Sequence, residues 1–263
     1  MEKYLLITFI LTMIIHTCET LSYSLRYAGV KTGKIAVALS LTGIMVLVSR
    51  TANLVQAPLT AKFIDFAKNH DSFNLLLYLR IIIIASSVGT LIAIILFPSF
   101  VLLWGRVISK FEVAGSLPRL ITSVTIGQIK NTKHYIRKPS LTLHQFRYLG
   151  ISKRFILFNL FITAFYTIGV LSSLYAARLV PELSTTASQA SGLINGIATI
   201  LLTIFIDPQV GLITDKALNN KEYSDRLGKI YILLMVSRFL GTLLAQLLLE
   251  PAAYFISVVV KLI

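Results

Sequence analysis

The side chains able to do chemistry in this chain sit where ionisable groups are costly. His16, Glu19, Tyr23 and Arg26 recur at i, i+3, i+7 and i+10 in the first long apolar stretch, a spacing that puts all four on one helix face. Arg50 and Asn53 share a face in the second stretch, with Gln56 displaced round the helix. Arg238 stands near the middle of the last stretch, and Gln246 follows two turns later. A charged group facing lipid costs about 2.5–3.5 kcal/mol even on insertion scales, so Glu19 must pair, protonate or line water. One reading is a Glu19–Arg50 ion pair that fixes helix packing. The other is a polar cavity where arginines hold an anion and carboxylates tune uptake and release; the guanidinium fork matches phosphate.

The cavity reading is adopted, because ionisable residues inside a membrane mark function by default. It makes Arg50, Asn53, Gln56, Arg238 and Gln246 candidates for substrate binding. His16, Glu19, Tyr23 and Arg26 become candidates for coupling or for lining the cavity. Within that set His16 reads as a hydrogen-bonded core residue rather than a proton relay. Arg178, near a helix end, reads as a snorkelling side chain, and Asp207 as an interfacial turn before Pro208.

These residues need apolar helices to position them, and the composition supplies them. Of 263 residues, 56% are hydrophobic and 14% charged, against about a quarter charged in soluble domains. Residues 81–104 run for 24 positions without a charge, where roughly 20 suffice to cross the hydrocarbon. Residues 155–177 and 186–206 pass the same test, and residues 4–25, 35–61 and 230–249 pass it apart from the ionisable groups above. The expectation is an all-α integral membrane protein with about six transmembrane helices. Lys3 and the apolar run after it look like a secretory leader. His16-Thr17-Cys18-Glu19 offers no small-residue cleavage site, so a retained first helix is expected. Cys18 is the one cysteine, which excludes an internal disulfide and a multi-thiolate metal site. No cofactor or metal is expected.

The 25 Lys and Arg outnumber the 11 Asp and Glu. They lie between apolar runs, which points to anionic lipid headgroups rather than nucleic acid. Arg26, Lys31 and Lys34 fall between the first two spans, and Lys216, Lys221, Arg226 and Lys229 between the last two. Ten Lys and Arg against Glu112 fall between the third and fourth. The positive-inside rule puts all three segments in the cytoplasm and both termini outside. Residues 116–130 read either as a helix lying in the membrane interface or as an ordinary basic loop.

A shift of 152 positions superposes Gly89-Thr90-Leu91 on Gly241-Thr242-Leu243, with a proline, Pro98 or Pro251, close behind each. Gly43-Ile44 falls one place from Gly196-Ile197, and Arg26 falls on Arg178. The implied organisation is a three-helix repeat over 1–104, a basic cytoplasmic linker over 105–154 and a second repeat over 155–263. An odd number of crossings inverts the second repeat, an arrangement recurrent in transporters that places the site between the repeats. The glycines themselves, Gly192 and Gly196 included, are expected to let helix backbones approach closely.

The sequence has no GxxxxGK[ST] loop for nucleotide, no HExxH, no GxSxG and no carboxylate cluster for Mg²⁺. Two segments do carry a resemblance. Residues 16–33 (HTCETLSYSLRYAGVKTG) and 47–59 (LVSRTANLVQAPL) resemble the Amj family of bacterial lipid II flippases, the alternates to MurJ. Chain length and six spans extend the likeness over essentially the whole sequence. The resemblance implies a transporter, not an enzyme. It would move an undecaprenyl-diphosphate-linked peptidoglycan precursor from the inner to the outer leaflet of the bacterial cell membrane. Implied partners are lipid II, membrane lipids, further copies of the chain or cell-wall synthesis proteins. No family motif assigns site residues, so those named above rest on the intramembrane-charge argument. A carrier of another amphiphile or small anion, or a non-transporting scaffold for envelope enzymes, stays open on the residues alone.

Overall fold

Hydrocarbon offers no partner to a peptide N–H or C=O, so long apolar segments close their hydrogen bonds internally as helices. The computed structural model, which describes residues 1–115, 119, 122, 136–137 and 151–263, is built this way. Its helices are α1 (Glu2–Lys31), α2 (Ile35–Asn69), α3 (Leu75–Ala114) and α4 (Lys153–Leu179), then α5 (Ser184–Gln189), α6 (Gly192–Leu201), α7 (Asp207–Asn219) and α8 (Lys221–Leu262). A 3-10 turn, Pro181–Leu183, and a π turn, Leu202–Ile206, join α5–α7 into one interrupted span. Six segments are thus long and apolar enough to cross a membrane. The protein is an all-α membrane protein.

Every span runs beyond its expected bounds, and two of the differences change the layout. The fifth span does not end at Asp207: it continues as α7 to Asn219. Pro208 lies in the first turn of α7, where its missing N–H breaks no intrahelical bond, and the π turn before it absorbs the change of register. The third helix runs ten residues past 104, taking up the start of the expected linker. At 40 residues it measures about 60 Å, so the part bearing Arg106 and Lys110 overhangs a 30 Å core. It stops at Gly115, whose φ of 69° suits glycine and whose N–H donates to the Phe111 carbonyl. The interfacial helix expected over 116–130 lies outside the described residues.

Short connections within residues 1–115 and within 151–263 make the spans of each set run up and down. One end, here the basic end, carries the turns at 32–34 and 220 and the exit of α3. The opposite end carries both termini and the turns at 70–74 and 180. Ion pairs tie each end: Lys34 to Glu112 at the basic end, and Arg178 to Asp71 at 3.2 Å at the other.

α1 packs mainly on α3 and α2, and α4 mainly on α8, with α3 against α8 joining the two sets. Gly89 makes the α1–α3 approach possible, since a Cβ there would strike the Met13 carbonyl. Gly241 does the same on α8, facing the Leu160 carbonyl of α4. Gly192 and Gly196 do not share this role, for nothing lies within 4 Å of a Cβ built on either. One apolar cluster, around Tyr27, Phe97 and Tyr231, fills the basic half, and another, around Phe63, Leu79 and Leu249, fills the opposite half. Between them the bundle is polar.

Candidate functional site

α1 presents Thr12, His16 and Glu19 towards α2 and α4, and the opposed faces leave two adjoining cavities. The larger, about 350 Å³, lies in the basic half and includes Arg26, Thr42, Asn159, Thr199 and Arg238 in its lining. The smaller, about 140 Å³, lies towards the opposite end and includes Thr12, Asn53, Gln56, Ser86 and Asn195. His16, Glu19, Ser49, Arg50, Tyr166 and Thr167 line both, forming a polar waist at mid-bundle.

Glu19 is held at that waist from two sides. Its Oε2 is 3.4 Å from Arg238 Nη2, and its Oε1 accepts a 3.1 Å bond from Ser49 Oγ. Both partners of the ion pair are largely covered, with side chains 18% (Arg238) and 21% (Glu19) exposed. The Glu19–Arg50 pair entertained from the sequence is not formed. Arg50 makes no hydrogen bond or ion pair among the described residues; it is exposed and lines both cavities. Arg26 Nε and Arg238 Nε are buried without an acceptor. Three guanidinium groups therefore surround a chamber containing one carboxylate, and their unused donors suit an oxyanion. An unmet buried N–H costs free energy, so a bound anion would be favoured there.

The structure brings together most of the residues that the sequence singles out, but not all. Arg50, Asn53, Gln56 and Arg238 line the cavities, as do His16, Glu19 and Arg26. Gln56 also donates from Nε2 to Thr12 Oγ1 at 3.2 Å. His16 is buried beside the chamber with Nδ1 unpartnered, so it lacks the hydrogen bond expected of a core histidine. Tyr23 is not in the lining itself but lies against Arg238, and its ring is 5.3 Å from that of Tyr231 in the basic-half core. Gln246 is also outside the cavity, because Nε2 donates at 2.9 Å to the Arg80 carbonyl across the α3–α8 seam. There it sits beside an ion pair, Arg80 Nη2 to Glu250 Oε1 at 2.6 Å.

Sequence reasoning missed the neutral wall. Asn159, Thr163, Tyr166 and Thr167 line the chamber from α4, and their i, i+4, i+7, i+8 spacing is the signal that finds them. Asn159 Nδ2 also donates to the Leu234 carbonyl at 3.0 Å and to Ser237 Oγ, which anchors α4 on α8. Asn195 enters from α6, its amide lodged in the space left by the absent side chain of Gly169. Among the described residues no group of three or more His, Cys, Asp or Glu gathers to hold a metal.

Among the described residues, the side of the chamber between α2 and the fifth span is open. Both elements contribute lining residues, yet they make almost no contact with each other. Such a chamber can take a charged, hydrated group out of the bilayer while an attached chain stays in lipid.

The profile of the Amj family, described as "Alternate to MurJ", matches residues 11–260. A Bacillus subtilis (strain 168) protein named lipid II flippase Amj is 43% identical over 259 residues, covering 97% of this chain and 96% of the relative. No solved structure matches.

Proposed function

The chain belongs to the Amj family, and on that premise we propose that it is a lipid II flippase of the bacterial cell membrane, working by alternating access. Lipid II joins a polyprenyl tail to a disaccharide and stem peptide through a diphosphate, and each part places a demand on the protein. The diphosphate diester carries two negative charges. The chamber offers Arg26, Arg50 and Arg238 against Glu19, an excess of two positive charges. The tail requires a cavity that opens sideways, and the gap between α2 and the fifth span provides one. The observation that carries the reading is Arg50, a membrane-embedded cation with no partner in the described protein.

By the positive-inside rule the basic end is cytoplasmic and both termini face outward. The larger cavity then belongs to the cytoplasmic half. In the proposed cycle the diphosphate enters that half and meets Arg50. It then competes with Glu19 for Arg238 at the waist. Displaced Glu19 is the coupling group, because it must find a proton or another partner before the pair re-forms. Rocking of 1–104 against 155–263 passes the headgroup into the smaller cavity, closing one side as the other opens. The α1–α3 and α4–α8 pairs, each closed on its own glycine, support treating these segments as inverted repeats. With no nucleotide motif in the sequence, the drive is an ion or potential gradient, or consumption of lipid II outside.

The test is exposure of lipid II on the outer leaflet of bacteria depleted of their own flippase, read by an externally added lipid II-cleaving toxin. Wild type restores cleavage and a stably inserted Arg50→Ala does not. Failure of the well-inserted wild type to restore it would overturn the reading.

A further inference from the structure

His16 stands at the polar waist with nothing to hold. It lines both cavities, is 8% exposed, and keeps Nδ1 covered without a hydrogen-bond partner. An unmet buried nitrogen costs free energy, so a state in which the ring has a partner would be favoured. Glu19 is the group placed to become that partner. The two residues are one turn apart on the same face of α1, a spacing that puts Cβ atoms about 5–6 Å apart. Long side chains on a helix lean towards its N-terminus, so a Glu19 carboxylate released from Arg238 leans over the turn that carries His16. In this structure the carboxylate is held instead by Arg238, 3.4 Å away, and by Ser49. Glu19 and Arg238 both lie close enough to act on the charge of the imidazole.

Resting on the flippase reading above, we propose that His16 is the proton-accepting partner of Glu19 when the substrate's diphosphate displaces that carboxylate from Arg238. The exchange balances. Diphosphate oxygens take over the Arg238 donors, and Glu19 swings to His16. The neutral imidazole takes one proton from water in the larger cavity and becomes imidazolium, with donors on both nitrogens. That proton returns to water when the headgroup leaves and Glu19 re-forms its pair with Arg238. Without the imidazolium, the displaced carboxylate would be a covered charge with its cation taken. Two negative charges then travel with one positive, so a potential negative inside still drives the headgroup outward.

The groups facing His16 leave no other candidate among the described residues. α1 contributes Glu19 itself, α2 Arg50, α4 Tyr166 and α8 Arg238, while Ser86 of α3 and Asn195 of α6 are neutral. Arginine stays charged and tyrosine stays protonated near neutral pH. Of the remaining two, only the imidazole becomes a cation able to hold a displaced carboxylate.

The test is the pH dependence of lipid II binding by the purified full-length chain in nanodiscs, followed with fluorescent lipid II over about pH 6–8. The diphosphate diester stays doubly ionised there, so a slope belongs to the protein. One proton taken up on binding weakens wild-type affinity by up to about tenfold per pH unit as pH rises. His16→Gln keeps a polar side chain that cannot titrate, and it should flatten the profile. His16→Asn is the second variant should the first not insert. Glu19→Gln should also flatten the profile, since no carboxylate is released. A flat wild-type profile overturns the proposal, as does the full wild-type slope in a folded His16→Gln or Glu19→Gln. Binding with a flat profile removes only the proton site, whereas no lipid II binding by the wild type at any pH removes the flippase reading itself.

Discussion

The two halves of the bundle build one chamber by opposite means. The first half contributes charge: Glu19, Arg26 and Arg50 all come from α1 and α2. The second contributes Arg238 and otherwise neutral groups, chiefly Asn159, Thr163, Tyr166 and Thr167 of α4. The second span is a continuous helix, whereas its counterpart in the other half is broken into three helices, a 3-10 turn and a π turn. The contrast suggests a division of labour, with the first half attracting the anion and the second shaping and gating the space. Discontinuous spans commonly accompany sites near the midplane.

The strongest way to break the contrast is to remove the one negative charge. Glu19→Ala strands Arg238 without its carboxylate, and removing one member of a covered pair costs about 3 kcal/mol. The expected outcome is a marked drop in thermal stability in detergent, largely recovered in the double variant Glu19→Ala/Arg238→Met. Arg50→Ala should behave differently, because Arg50 has no partner among the described residues to strand. Stability stays near wild type while lipid II exposure falls by about 100-fold, near 2.7 kcal/mol, as for truncating one partner of a hydrogen-bonded charge pair formed with the substrate. Arg50→Lys should recover part of it, since an ammonium keeps the charge but loses the fork.

Gly89→Leu and Gly241→Leu sharpen the comparison between the halves. Each forces apart a helix pair that closes on a carbonyl, so each should lower stability by about 2 kcal/mol, within the usual range for overpacking. Equal losses in a thermal-shift assay are expected if the two glycines are equivalent positions of a repeat. Unequal losses would weaken that equivalence. The smallest effect should come from the neutral wall. Tyr166→Phe removes one hydroxyl, worth about 1 kcal/mol, and should reduce lipid II exposure about fivefold with no change in folding. An effect as large as that of Arg50→Ala would end the distinction between a charged and a neutral half.

Much of the site was legible because charge in an apolar helix is a loud signal. Arg50, Glu19 and Arg238 stand out in any hydropathy scan, and helical spacing alone put His16, Glu19 and Arg26 on the face that lines the chamber. The same reasoning misplaced Gln246, which shares a helix with Arg238 but is taken up by the Arg80 carbonyl; Tyr23 reaches the site only through Arg238. A helix face is broad, and only its neighbours decide which part is open. The α4 wall went unseen for a different reason. Threonine is common in membrane helices, where it bonds back to its own backbone, as Thr163 does to Asn159, and Asn159 and Tyr166 carry no charge to mark them.

By itself the sequence determined the class of the protein, the number of spans and the presence of charge within them. These follow from transfer free energy, which is local and nearly additive along a helix. Tertiary structure decided the partners. Glu19 pairs with a residue 219 positions away instead of one 31 away. Arg50, without a partner among the described residues, lines both cavities. Which of several compatible charges meet depends on how six helices pack against one another, and packing is a property of no single segment.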